Sequence, residues 1–213
     1  MKYAKALTSL VFILGLLVSA LPAHAETTTP ESTALTSPTA LVKNFYDQLT
    51  DTMKQGETLG FSGRYKKLDP VVRSTFNLPL MARFAANSGW AEAKPDEQQK
   101  LVEAFSDFSI ANYASRFSKY DGERFEVVGE KPASGGGTIV ETRLTPKDGE
   151  PVVLNYLVRA DDKGQPRIAD VFLDAAISQL ATRRSEFSAI IKHDGFPALI
   201  TSIIEKNKKM GVL

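Results

Sequence analysis

The sequence predicts an α+β fold in which several helices precede a four-stranded antiparallel meander sheet and two helices follow it. Three observations support this prediction. Apolar residues recur at helical spacing through the first half of the 213-residue chain. Four short segments rich in β-branched and aromatic residues then succeed one another at close intervals, and helical spacing returns near the end of the chain.

The first 25 residues have the features of a secretory signal peptide. Lys2 and Lys5 precede an apolar run over residues 7–18, and Ala-His-Ala at residues 23–25 supplies a small-x-small cleavage site. The run is shorter than the roughly 20 apolar residues that a membrane-spanning helix needs. The sequence therefore predicts cleavage after Ala25 and export of a soluble mature chain to the periplasm.

The mature chain is predicted to contain a leader and one domain. Residues 26–39 are rich in Thr, Ser and Pro, which predicts a disordered leader ahead of a single domain over residues 40–213. Removing Lys2 and Lys5 from the 26 basic residues leaves 24, against 25 acidic ones. A nearly neutral chain is a poor binder of nucleic acid. The chain has no cysteine, which excludes disulfides, thiolate chemistry and a lipid anchor on cysteine.

Helices are predicted from spacing and from their first residues. In the first helix the apolar residues recur every four positions and stop near Gly56. The second is expected to begin at Asp69 and Pro70, the third at the capping residue Asn77, and the fourth at Pro95, because these residue types favour a first helical turn. The fourth helix is expected to continue to about residue 118.

Four strands and two more helices complete the prediction. The strands are expected over residues 125–130, 138–145, 152–160 and 167–174, and their glycine-containing connectors are too short for crossover helices. The strands should therefore pair antiparallel in sequence order. The last two helices are expected over about 177–192 and 197–209, separated by a terminating Gly195.

The fourth helix carries more apolar surface than one packing contact requires. Its apolar residues cover close to half the circumference, whereas an amphipathic helix needs about 100° to dock on one partner. Two explanations remain open: the helix packs between two protein layers, or it packs on one layer and lines a ligand cavity. Strand faces raise the same question, since Ala169, Val171 and Leu173 form one apolar face of the last strand and Ile168 and Phe172 point the other way.

We expect an apolar cavity between the sheet and the helices. Its candidate ligand-binding residues come from the fourth helix and the last two strands, and they are Phe105, Phe108, Tyr113, Leu154, Tyr156, Val158, Ile168 and Phe172. A one-residue register error would exchange the strand residues for those of the opposite face.

Residues suited to catalysis are few. His193 is the only histidine of the mature chain, and its place at a helix end favours an interaction with terminal carbonyls. Asp170 shares a strand face with apolar neighbours, so a small enzyme with Asp170 as general base is one alternative function. A cavity-free interaction module is another. Arg83, Arg183 and Arg184 are candidates for contact with an anionic headgroup or a partner.

Three segments together resemble a known family. They are FNLPLMARFAANSGW (76–90), DEQQKLVEAFSDFSIANYASRF (96–117) and RIADVFLDAAISQLATRRSEFSAIIKHDGFPALI (167–200). In this order, behind a signal peptide, they resemble the MlaC-like periplasmic lipid-binding proteins, also called the toluene-tolerance ABC transporter auxiliary family. The chain is most similar to the hopanoid-associated branch, HpnM. It departs from the wider family's Gly-Val-Ser-Leu step in FLDAAISQL, where Ala175 and Ala176 stand.

The resemblance implies a function that the composition and the residue spacing do not indicate by themselves. It implies a soluble carrier that is not an enzyme, holds the hydrocarbon of a phospholipid or a hopanoid between the sheet and the helices, and moves it between the two envelope membranes. We also expect a monomer that uses no metal or other cofactor. The family also implies an inner-membrane transporter or exporter complex and an outer-membrane acceptor as partners.

Overall fold

The structure is a computed structural model and describes residues 37–212. The predicted signal peptide and nearly all of the predicted leader lie outside the described residues. In chain order the elements are α1 (Pro38–Lys54), α2 (Gly56–Thr75), α3 (Leu78–Ala86), α4 (Gly89–Glu92), α5 (Pro95–Arg116), β1 (Arg124–Pro132), β2 (Thr138–Thr145), β3 (Val152–Ala160), β4 (Pro166–Leu173), β5 (Ile177–Ser178), α6 (Gln179–Asp194) and α7 (Phe196–Met210). The predicted α+β class is confirmed.

The helix starts follow capping chemistry at two predicted places, Asn77 and Pro95, and at Ser37, which was not predicted. Ser37 accepts a hydrogen bond from the Ala40 amide at the start of α1, and Asn77 accepts one from the Leu80 amide at the start of α3. Pro95 occupies the first position of α5, where its missing N–H has no helical partner to lose. Each of these residues stabilises the first turn of its helix, so its position marks where the helix begins.

The predicted helix start at Asp69 and Pro70 is wrong, because both residues lie inside α2. This helix already begins at Gly56 and is interrupted only at Gly60, which has φ 59° and ψ −175°. Buried Arg64 holds the segment in place by donating to the carbonyl oxygens of Gly56 (2.7 Å) and Ala114 (2.8 Å). A tertiary contact thus extends a helix whose glycine-rich sequence shows little periodicity.

The sheet has five strands in the order β1-β2-β3-β4-β5, all antiparallel, whereas four were predicted. The additional strand is only two residues long, Ile177–Ser178, and pairs with the end of β4. Sequence reasoning assigned these residues to the following helix, because two residues carry no alternation signal of their own.

A bulge in β4 changes which of its residues face the helices. Leu157 pairs with Asp170 and Val158 pairs with Ile168, so Ala169 has no partner on β3. An unpaired residue of this kind shifts the alternation of the strand by one position. Ile168 therefore lies on the same face of the sheet as Val158. Asp170, two residues later in β4, pairs with Leu157 and lies on the opposite face, whereas regular alternation would put it on the face of Ile168.

Beyond the bulge the opposite set of β4 residues points toward the helices. Tyr156 pairs with Val171, and Asn155 pairs with Phe172. Directly paired residues of an antiparallel sheet lie on the same face, and neighbours in one strand lie on opposite faces. Val171 is thus on the helix side with Tyr156, and Phe172 is on the far side.

The core lies between the sheet and the helices that cover one of its faces. An aromatic cluster occupies its centre: the ring of Phe45, fully buried on α1, lies 5.2 Å from Phe76, 5.2 Å from Tyr113 and 6.4 Å from Tyr156. Burying side chains of this size contributes about 1.5–3 kcal/mol each. The cluster ties α1, α5 and β3 together.

Within residues 37–212, none of the helices is both long enough and apolar enough to cross a membrane.

Candidate functional site

An apolar cavity of about 450 Å³ opens between the sheet and helices α3, α5 and α6. Protein cores are normally packed to the density of organic crystals, so a space of this volume is unusual. Five predicted residues lie in its wall: Phe105, Phe108 and Tyr113 of α5, and Leu154 and Tyr156 of β3.

The α5 wall explains why this helix carries so much apolar surface. Phe105, Phe108, Asn112 and Tyr113 follow one another at three- or four-residue spacing or as neighbours, and all of them line the cavity. Other apolar residues of α5 are buried in the protein core, and these are Leu101, Ala104, Ile110, Ala111 and Ala114. The helix therefore packs on protein and also lines a cavity, which is the second of the two explanations that the sequence left open.

Three predicted liners lie elsewhere. Val158 and Ile168 are buried, at 2% and 0% exposure, in the packed core. Phe172 points to the other face of the sheet, because the bulge at Ala169 reverses the alternation. The wall contains Val171 instead, so the predicted strand set is corrected at these three positions.

Sequence reasoning missed several other residues of the wall. Leu78 and Met81 of α3, Val171 and Leu173 of β4, and Leu180 of α6 all line the cavity. The first pair has helical spacing, and the second pair lies on the apolar face noted for that strand. Both patterns are visible in the sequence, but only the folded structure shows that these two pairs of residues line the same cavity.

Polar side chains in the wall are satisfied by the protein's own backbone. Ser109 donates to the Phe105 carbonyl oxygen at 2.8 Å, and Asn112 donates to the Phe108 carbonyl oxygen at 2.7 Å. Burial raises the pKa of Tyr113 and Tyr156 above the usual phenol value, so both stay neutral at physiological pH. Most of the wall thus presents hydrocarbon and uncharged polar groups to any occupant, and its charged members are Arg116, Asp170 and Arg183.

Arginines lie at the edge of the cavity. The Arg183 guanidinium carbon lies 4.8 Å from the centre of the Phe108 ring, and an Arg183 nitrogen lies 2.7 Å from a Glu186 carboxylate oxygen. Arg116, three residues after Tyr113 on α5, also lines the cavity and makes no ion pair within residues 37–212. Arg116 was not predicted as a site residue, although its helical spacing from Tyr113 places it on the same face of α5.

Asp170 borders the cavity, but its carboxylate has a structural task. One oxygen accepts from the amides of Val171 (2.7 Å) and Leu180 (3.1 Å), and the other accepts from the Ser178 hydroxyl (2.5 Å). Ser178 in turn accepts from the Ala181 amide. These bonds cap the start of α6 and join it to β4. Both oxygens are occupied, which argues against the general-base alternative.

His193 lies away from the cavity at the end of α6. Its side chain is 87% exposed, and its Nδ1 lies 2.8 Å from a carboxylate oxygen of Asp194. That carboxylate raises the pKa of His193 above its ordinary value. Among the residues that the structure describes, no group of three His, Cys, Asp or Glu side chains is arranged to hold a metal ion.

Arg83 and Arg184 belong to a second concave surface, which we call the α3–α4–α6 groove. It has a volume of about 360 Å³ and is lined by Leu80, Arg83, Phe84, Asn87, Trp90, Ala91 and Arg184. Of the three arginines singled out in the sequence, only Arg183 therefore lies at the cavity.

Comparisons with known proteins agree with this architecture. A family model described as "MlaC protein" matches residues 43–205. The fold is similar to that of the phospholipid-binding protein from Ralstonia solanacearum, solved in complex with a phospholipid, with a TM-score of 0.70 and 21% identity. The match covers 80% of this chain and 97% of that one. A search of curated proteins by sequence found no match.

Proposed function

The chain belongs to the MlaC family, and on that premise we propose that it is a periplasmic lipid carrier. It holds the hydrocarbon part of a lipid in the cavity and carries it between the two membranes of the envelope. It performs no chemistry on its cargo and uses no cofactor.

The observation that carries this proposal is the open apolar cavity of about 450 Å³. If a methylene takes about the 30 Å³ that a water molecule occupies in the liquid, this volume accommodates about 15 methylenes. At about 0.8 kcal/mol for each buried CH₂, filling it stabilises a bound chain by about 12 kcal/mol. That is about the hydrocarbon of one acyl chain.

The energetic need for a carrier follows from the same quantity. A lipid with some thirty methylenes faces a barrier on the order of 20 kcal/mol when it enters water without a protein. A protein that offers a dry apolar slot removes most of that barrier. The largely apolar wall suits this task, because a buried unpaired charge would oppose hydrocarbon binding, and both oxygens of its one carboxylate, Asp170, accept hydrogen bonds.

The arginines suggest where the lipid headgroup lies. Arg183 and Arg116 border the cavity, so an anionic headgroup held at its mouth would lie close to a guanidinium. Arg83 and Arg184 lie in the α3–α4–α6 groove and are assigned to partner contact. We propose a phospholipid or a hopanoid as cargo. The bound phospholipid of the Ralstonia protein supports the first, and the resemblance to the hopanoid-associated branch supports the second.

The remaining parts of the proposal come from the sequence and the family. Residues 1–25 direct export and are removed after Ala25, and the mature chain acts as a monomer. An inner-membrane transporter or exporter and an outer-membrane acceptor are its proposed partners.

Native mass spectrometry of the protein purified from periplasm tests the proposal. We expect an adduct of lipid mass on a polypeptide that begins at Glu26, and solvent extraction followed by mass analysis identifies the lipid class. A bare polypeptide mass with no extractable lipid would refute the carrier. Transfer of a fluorescent lipid between donor and acceptor vesicles, with and without the protein, then tests movement between membranes.

A further inference from the structure

We propose that the α3–α4–α6 groove binds a short segment of a partner protein that carries both carboxylates and apolar side chains. The proposal rests on the proposed function, because a carrier that loads and unloads lipid must dock near its cavity. The groove residues that carry the argument are Leu80, Arg83, Phe84, Asn87, Trp90 and Arg184.

The groove contains two of the five exposed large apolar side chains of residues 37–212. Leu80 is 39% exposed and Phe84 is 44% exposed. Only three other large apolar residues within 37–212 are exposed, and each of them lies outside this groove. Apolar side chains gathered in a concave surface are typical of sites that receive the apolar side chains of a partner.

The charge of the groove indicates what accompanies those apolar groups. Arg83 and Arg184 make no ion pair with any carboxylate of residues 37–212, and no acidic residue lines the groove. Arg73 shows the contrast, because its guanidinium contacts three carboxylates. A guanidinium presents a fork of N–H donors that fits a carboxylate with two parallel hydrogen bonds. A carboxylate-bearing segment complements this surface.

Arg184 is held in position before any partner arrives. It donates to the Asn87 side-chain oxygen at 2.6 Å, and its guanidinium carbon lies 5.1 Å from the centre of the Phe84 ring. Asn87 itself has φ 54° and ψ −133°, which a residue with a Cβ rarely adopts. Strained backbone persists where the surroundings over-determine it, and such positions cluster at ligand clamps.

The α4 side of the groove is also rigid. Gly89 approaches α6 so closely that a Cβ there would lie 2.9 Å from a methyl carbon of Ile191. The Gln98 side chain donates to the Trp90 carbonyl oxygen at 2.8 Å and ties α4 to α5. A preorganised groove loses little conformational entropy when a segment binds.

The groove and the lipid cavity share two helices. Met81 of α3 and Arg183 of α6 line the cavity, whereas Phe84 of α3 and Arg184 of α6 line the groove. A segment seated in the groove therefore contacts the helices that form the cavity wall. Because the apolar surface is concave, it fits inserted side chains better than the flat surface of a membrane.

Peptide display on the mature protein tests the inference. We expect a random 12-residue library to enrich sequences with two or more Asp or Glu residues beside Leu, Phe or Trp. The affinity of the best peptide should fall at least tenfold in the double variant Arg83→Glu with Arg184→Glu. The same peptide with its acidic residues changed to Lys should bind the double variant more tightly than it binds the wild type.

Two further variants separate a direct effect from a structural one. The double control Lys206→Glu with Lys209→Glu makes the same change of four charges on α7, outside the groove, and should leave peptide affinity unchanged. Asn87→Gly relieves the strained backbone and removes the oxygen that holds Arg184, so the fold should persist while affinity falls several-fold. Thermal unfolding of every variant checks the fold.

Each outcome supports or overturns the inference. The inference is overturned if the library enriches no peptides or enriches peptides without acidic residues. It is also overturned if peptide affinity does not change when the charges of the groove or of the peptide are reversed. Binding to phosphatidylglycerol vesicles that depends on Arg83 and Arg184, without peptide binding, would assign the groove to a membrane instead. The lipid adduct is measured on the same samples: an adduct without acidic enrichment contradicts only the groove, and acidic peptide binding without an adduct contradicts only the carrier.

Discussion

Two concave surfaces both use residues of α3 and α6, and they differ in their charged residues. The cavity is walled mostly by hydrocarbon, and its charged residues are Asp170, Arg116 and Arg183, of which Arg183 pairs with Glu186. The groove carries Arg83 and Arg184, which have no carboxylate partner within residues 37–212. Successive residues of a helix point about 100° apart. Neighbours such as Arg183 and Arg184 can therefore serve different surfaces of one packed helix pair.

Loosening the shared helix α6 should damage both surfaces. Phe187 is 2% exposed, and its ring centre lies 6.3 Å from that of Phe105. We expect Phe187→Ala to lower the free energy of unfolding by about 3–5 kcal/mol, because it leaves a cavity where α6 packs on α5. Urea unfolding measures the loss. The control Phe84→Ala removes a 44% exposed ring and should cost less than about 1 kcal/mol. Equal decreases in the free energy of unfolding of the two variants would show that the packing of Phe187 on α5 does not stabilise the fold.

Filling the cavity should affect lipid alone. Val171 lines the cavity and its neighbour Phe172 faces the other side of the sheet. We expect Val171→Trp to reduce lipid recovered per protein by tenfold or more, because the indole occupies the space of the cargo. Phe172→Trp is the matched control and should retain lipid. If both variants keep their lipid, the cavity is not where it binds. Peptide affinity for the groove should be unchanged in both.

Removing the Asp170 cap should weaken the start of α6 by an intermediate amount. Asp170→Ala leaves the Leu180 amide and the Ser178 hydroxyl without their acceptor, at a cost of about 2 kcal/mol. Asp170→Asn keeps a side-chain oxygen and should cost about half as much. Chemical denaturation compares the two. Asp170→Asn should still carry lipid, and a loss of lipid from a well-folded Asn variant would reopen a functional role for this carboxylate.

The smallest expected effect is a gain at the turn that leads into α6. Asp174 and Ala175 have φ 51° and φ 60°, a conformation in which a Cβ is disfavoured. Ala175→Gly should raise the free energy of unfolding by up to about 1 kcal/mol, because glycine adopts this backbone without strain. Ala176→Gly, at the next position, lacks the positive φ and should give no gain. Equal shifts in melting temperature for the two variants would show that the backbone at Ala175 is not strained.

The sequence allowed the class and most elements to be predicted, because periodicity is a local property. The four long strands lie close to where alternation placed them, and the Asn77 cap begins α3 as expected. The start of α2 was not predictable in this way, since Arg64 holds it through the distant Ala114 carbonyl. Strand β5 was missed because two residues show no period.

In the candidate site, too, some features depend on local spacing and others on contacts between distant segments. By itself, the sequence determined that α5 carries too wide an apolar arc for one contact and that Phe105, Phe108 and Tyr113 lie on it, because helical geometry depends only on local spacing. Only the tertiary structure decided which strand residues face the cavity. The bulge at Ala169 arises from pairing between β3 and β4 and reverses the alternation beyond it. Pairing of distant segments and the packing of α3 on α6 are properties of the assembled chain, so they also decided that Arg183 lies at the cavity and Arg184 at the groove.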